Sequence, residues 1–193
     1  MDGFGGSHTP PPAYQEVQWL ADTLVALMGL GWLINYAAMT WHSRTGETYS
    51  MAIIPLCNNI GWELVYTIVY PSSNMVELAV IAAGVTLNTV IMAAATRAAK
   101  TEWSHSPLVA TYSAFIFVGG TLICFTGHMA LAAEIGPALA YSWGAVICQL
   151  VLSIGGLCQL LQRNSTRGTS WTLCIPSIIS WKKTPQCHRS NKS

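Results

Sequence analysis

Charge is what this sequence has least of. Of its 193 residues only 9% are Asp, Glu, Lys or Arg, against about 25% in an ordinary soluble domain. A soluble domain of this size needs a charged shell, and these side chains cannot supply one. With 52% apolar residues, eight Trp and a mean hydropathy of +0.41, most of the chain must face lipid. A formal net charge of +1 excludes a basic nucleic-acid-binding surface, and the apolar content excludes a disordered chain. Aspartate is scarcest: Asp2 and Asp22 are the only two, so no D-D-x-x-D cluster exists to hold magnesium and a diphosphate. H-E-x-x-H, a phosphate loop and G-x-S-x-G are missing too. The six cysteines (Cys57, Cys124, Cys148, Cys158, Cys174, Cys187) form no C-x-x-C pair, which argues against a metal site or a disulfide framework. No metal, no cofactor and no nucleic-acid partner is therefore expected.

What is present is apolar length. A membrane span needs about 20 mostly apolar residues. Five stretches qualify, at about 20–41, 51–70, 76–96, 108–125 and 137–161. Lipid offers no backbone partners, so each is expected to be a helix. The fold class is all-α, a polytopic membrane protein with five transmembrane helices. Three parts follow: a segment 1–19, a five-helix domain 20–161 and a tail 162–193. Lys and Arg fall on one side only, at Arg44, Arg97, Lys100, Arg163 and through the tail. This places the N-terminus in the lumen and the basic tail in the cytosol, near anionic lipid. No basic n-region precedes the first span, which suggests that this span is the insertion signal, in the endoplasmic reticulum. On this topology the acceptor patterns at Asn164 and Asn191 stay unglycosylated.

An ionisable side chain inside a span costs roughly 2.5–3.5 kcal/mol and needs a reason. Glu63, in the middle third of the second span, is the clearest case. Helical spacing puts Asn59, Tyr66 and Tyr70 on its face, and Trp62 beside it is one of four deep aromatics, with Trp32, Tyr36 and Tyr66. A carboxyl withdrawn from water favours its uncharged form, able to donate a proton. The plainer use of Glu63 is glue between helices. Asp22 and Glu77 lie near span ends, and His128 and Glu134 fall in a lumenal link over 126–136. Asn35, Asn88, Gln149 and Gln159 read as packing contacts. Trp19, Trp41, Trp103, Tyr112 and Trp143 fit an interfacial belt.

The run from Met51 to Tyr66, with Asn58-Asn59-Ile60-Gly61-Trp62-Glu63, resembles the second span of the fungal integral-membrane terpene cyclases. These serve paxilline-type indole-diterpene and meroterpenoid pathways. Gly127–Pro137, Ala140–Leu150, Gly155–Leu161 and Ser165–Gly168 continue the likeness, which covers roughly 13–173 and is closest to the meroterpenoid branch. The resemblance implies a seven-span family that cyclises a polyprenyl chain whose terminal alkene has been epoxidised. Glu63 occupies the position of the acid that opens the epoxide. The implied substrate is a farnesylated aromatic polyketide, and the implied partners are a flavin monooxygenase and a prenyltransferase of the same pathway. The family's second acid, an aspartate in the seventh span, has no counterpart here. The likeness is expected to end at about residue 173, as in a shortened chain. An inactive fragment, or a small transporter or scaffold subunit using Glu63 as relay or packing, are the other readings.

Overall fold

The computed structural model describes residues 12–45 and 48–164. The side chain of Asp22 and the tail beyond residue 164, with its basic residues and Asn191, lie outside the described residues. Five helices follow in order: α1 (Pro12–Thr45), α2 (Ile53–Leu64), α3 (Met75–Glu102), α4 (Pro107–Ile135) and α5 (Pro137–Arg163). A π-helical turn, Val65–Val69, carries α2 onward without a break. The all-α expectation holds, and no strand occurs among the described residues.

Local chemistry sets the helix starts. Asn74 caps α3, its Oδ1 accepting from the backbone N–H of Val76 at 2.9 Å and of Glu77 at 3.4 Å. Pro107 and Pro137 stand at the first turns of α4 and α5, where the missing N–H costs nothing. Helices α3, α4 and α5 are each long and apolar enough to cross a membrane. Their large apolar side chains, such as Phe115, Ile123 and Leu157, point outward to where lipid lies.

Helix α2 forms the interior. Leu56, Val65 and Tyr66 are fully buried, and α3, α4 and α5 all pack against it, while α1 lies along α3. The approach is close. A Cβ on Gly61 would fall 2.8 Å from the backbone nitrogen of Phe125 on α4, so only glycine allows the two backbones to meet there. At one end of the bundle the Tyr49 carbonyl accepts from Gln159 Nε2 and Arg163 Nη1, both at 3.2 Å, and Arg163 pairs with Glu102 at 3.2 Å. Trp103, expected in an interfacial belt, is buried here against the Tyr49 ring, with centroids 4.6 Å apart.

One boundary differs from the sequence expectation. The link foreseen over 126–136 is helix as far as Ile135, and Gly136 alone joins α4 to α5. Thr126, Gly127 and His128 look like chain leaving the membrane. His128 instead meets Asn58 inside the bundle, while Thr126, on the exposed face, donates its Oγ1 to the Ile123 carbonyl of its own helix at 2.9 Å. Gly136 has φ +85°, a backbone conformation that glycine adopts without a Cβ penalty.

Candidate functional site

Glu63 sits on α2 with 3% of its surface exposed. Its carboxyl faces α3, where the Asn88 side-chain amide donates to both oxygens, at 2.8 Å to Oε1 and 3.0 Å to Oε2. One turn earlier on α3 stands Gly84. A Cβ there would lie 2.6 Å from Oε1, so the glycine makes the notch that admits the carboxyl. Asn88, read from sequence as a packing contact, is thus the direct partner of Glu63. The signal was present in the pattern: a small residue and an amide four apart on an otherwise apolar helix face.

Asn59 precedes Glu63 by one turn on the same face of α2. Its Nδ2 donates to the Tyr36 hydroxyl of α1 at 2.9 Å. Both Tyr36 and Cys148 lie within electrostatic range of Glu63. Helices α1 and α5 make no substantial contact with each other and face across α2. Trp32 and Tyr36 of α1, Asn59 and Trp62 of α2, and Cys148 and Gln149 of α5 line the cleft between them. It encloses about 10 Å³, space for one water. The Asn59 Oδ1 at its edge is buried without a partner among the described residues.

The other expected site residues lie around the turn of α2. Trp62 is 3% exposed and its Nε1 donates to the Tyr141 carbonyl at 3.2 Å. The Tyr66 ring is turned toward Trp62 and Tyr141, and its hydroxyl donates to the Pro137 carbonyl at 3.3 Å. Tyr70, at the end of the π turn, is half-buried against the same cluster. The structure therefore joins Asn59 to the Glu63 side and groups Trp62, Tyr66 and Tyr70 with α5. Four rings, Trp32, Trp62, Tyr66 and Tyr141, form a continuous aromatic wall with centroid separations of 5.0–6.1 Å. Tyr141 was not singled out by sequence, because its place depends on α5 folding back over α2.

Two more sequence candidates change standing. Glu77 accepts from the Ser72 hydroxyl at 2.7 Å and interacts with Tyr141, so it ties the start of α3 to the aromatic wall. His128, expected in a solvated link, is 6% exposed within the bundle, with Nε2 3.2 Å from Asn58 Oδ1. Glu134 stays exposed near the end of α4.

Glu63 is thus a buried acid held by one amide inside a bundle of long apolar helices. A family model described as Pyr4-like transmembrane terpene cyclases matches residues 5–179. Among curated proteins, the terpene cyclase terB of Tolypocladium album is 78% identical over 179 residues, covering 93% of this chain and 74% of that protein. The terpene cyclase ltmB of Epichloe festucae var. lolii is 70% identical over 173 residues, covering 90% and 76%. The terpene cyclase idtB of Claviceps paspali is 66% identical over 173 residues, covering 90% and 72%. No solved structure matches. The chain belongs to the Pyr4-like transmembrane terpene cyclase family.

Proposed function

We propose that Glu63 is the general acid of this terpene cyclase, and that it protonates the terminal epoxide of a polyprenyl chain carried on an aromatic group. The observation that supports this is the burial of one carboxyl on the innermost helix, held by Asn88 and notched into Gly84. Taking an ionised carboxylate out of water costs several kcal/mol. Hydrogen bonds to such a group return only about 1.5–3 kcal/mol each. The neutral form therefore fits this place, and a neutral acid is what an epoxide oxygen needs.

The chemistry balances as an isomerisation. The Glu63 proton goes to the epoxide oxygen, one ring C–O bond breaks, and the carbon so freed is attacked by the next alkene. Each attack makes a C–C bond and moves the cation along the chain. Loss of a proton from carbon ends the cascade as a new alkene. The aromatic wall suits the middle of this sequence, since a ring face stabilises a water-free cation by about 2 kcal/mol or more. Exclusion of water also keeps the cation from being captured early.

The reading extends to surroundings. The substrate is a farnesylated aromatic polyketide epoxide, made by a prenyltransferase and a flavin monooxygenase of the same pathway. The protein resides in the endoplasmic reticulum with its N-terminus lumenal and its tail cytosolic, as the one-sided placement of Lys and Arg suggests. The test is to express the chain in membranes and supply the farnesylated polyketide epoxide and, separately, a prenylated indole epoxide of the paxilline type. Cyclised product from the first that vanishes in Glu63→Gln is the expected result. Product only from the second would replace the substrate class, and product that survives in Glu63→Gln would remove Glu63 from its role. No product from either, with a proton or solute flux dependent on Glu63, would favour a carrier.

A further inference from the structure

The cascade needs a group that takes a proton from carbon, and the acid that starts it lies on only one side of α2. On the other side, toward α4 and α5, the structure holds a buried imidazole. His128 comes from α4, which approaches α2 closely at Gly61, and it has 6% of its surface exposed. Its Nε2 lies 3.2 Å from Asn58 Oδ1.

The tautomer follows from the neighbours. The Asn58 Nδ2 donates to the Cys148 sulfur at 3.2 Å, while the Cys148 thiol donates back to the Asn58 carbonyl at 3.8 Å. With the amide nitrogen engaged on Cys148, the side-chain oxygen of Asn58 is left to face His128 and can only accept. In the tautomer that suits this contact, Nε2 carries the hydrogen and Nδ1 holds the lone pair. Among the described residues Nδ1 has no hydrogen-bond partner. It points to α5 at Gly144, where a Cβ would lie 3.3 Å from Nδ1 and 2.5 Å from the Trp62 ring. The missing side chain at that position brings the lone pair next to the indole of the aromatic wall.

We infer that His128 is the proton acceptor that ends the cascade, with Asn58 as the positioning residue that fixes its tautomer; this rests on the cyclase reading above. A cation held against the Trp62 face has an adjacent C–H whose electrons form the final C=C bond. The hydrogen leaves as a proton to Nδ1, giving imidazolium, and Glu63 and His128 return to their starting states by exchange with solvent. Net proton count is unchanged over a turnover. Three features suit this step: an imidazole nitrogen, a ring oriented by Asn58, and the Trp62 indole close by.

Two measurements on the full chain test this, one independent of turnover. In isotope-labelled protein in lipid, ¹⁵N spectra assign the His128 ring by difference from His128→Gln. The expected state is Nε2 protonated and Nδ1 bare, with the preference lost in Asn58→Leu; a proton on Nδ1 in the intact chain overturns the proposal. In membranes given the epoxide, His128→Gln keeps the donor to Asn58 but removes the basic nitrogen. Epoxide consumption is expected to stay within about threefold of the intact chain, whereas the alkene product falls at least tenfold in favour of water-captured alcohols or part-cyclised compounds. An unchanged product spectrum overturns the proposal, as does an equal loss of consumption and product in correctly folded His128→Gln. Should the intact chain consume no epoxide, the cyclase reading fails first, and the ¹⁵N result still reports on the tautomer.

Discussion

The two sides of α2 carry polar groups of opposite kinds. Toward α1 and α3 stand Glu63, Asn88, Asn59 and Tyr36, a proton donor supported by an amide and a phenol. Toward α4 and α5 stand Asn58, Cys148 and His128, which present a lone pair, with the aromatic wall alongside. One helix thus separates the carboxyl proposed as proton donor from the imidazole proposed as proton acceptor. Polar side chains inside a membrane bundle are costly unless partnered, and on α2 both sides have partners.

The largest way to break this comparison is to remove the donor. Glu63→Gln preserves the shape and the Asn88 contact but has no acidic proton, and cyclisation measured by product yield is expected to fall about 10³-fold or more, within the usual range for general acid catalysis. Next is the shape that holds the donor. Gly84→Ala places a methyl 2.6 Å from Glu63 Oε1, and overpacking of this kind costs about 1–3 kcal/mol. Thermal unfolding in detergent should register that loss, together with reduced turnover. Asn88→Leu leaves Glu63 buried without its amide, and is expected to lower turnover more than substrate affinity, seen as a fall in kcat at nearly constant KM. The smallest effect belongs to the lipid side: Ile123→Val on the outer face of α4 touches neither group and should change stability by less than about 0.5 kcal/mol. A large effect there would mean that the outer face is not simply lipid-exposed.

Much of the fold was legible because a span announces itself by length and hydropathy: five helices were foreseen and five occur. Among the described residues α3, α4 and α5 are long and apolar enough to cross a membrane, with Ile53–Val69 a shorter apolar helix. The end of α4 was not. Thr126, Gly127 and His128 weaken the apolar run, and nothing local tells a polar residue leaving the membrane from one satisfied within it. The same limit governed the site. Glu63 stood out because a carboxyl in a span is costly on any reading. Asn88 and His128 did not, since their partners lie 25 and 70 residues away and meet them only when α3 and α4 have packed on α2. Tyr66 and Tyr70 were placed near Glu63 by ideal spacing, but the π turn at Val65–Val69 changes the register there. The aromatic side chains consequently gather toward α5.

The single residue between α4 and α5 bears on how this protein can be handled. Two long membrane helices joined by Gly136 alone leave no slack at that tip. An epitope or glycosylation reporter spliced in there would pry apart the helical hairpin that carries His128 and Gly144. Reporters for mapping sidedness belong instead at Ser73, which is exposed in the turn before α3 and leaves the Asn74 cap and the Ser72–Glu77 bond in place.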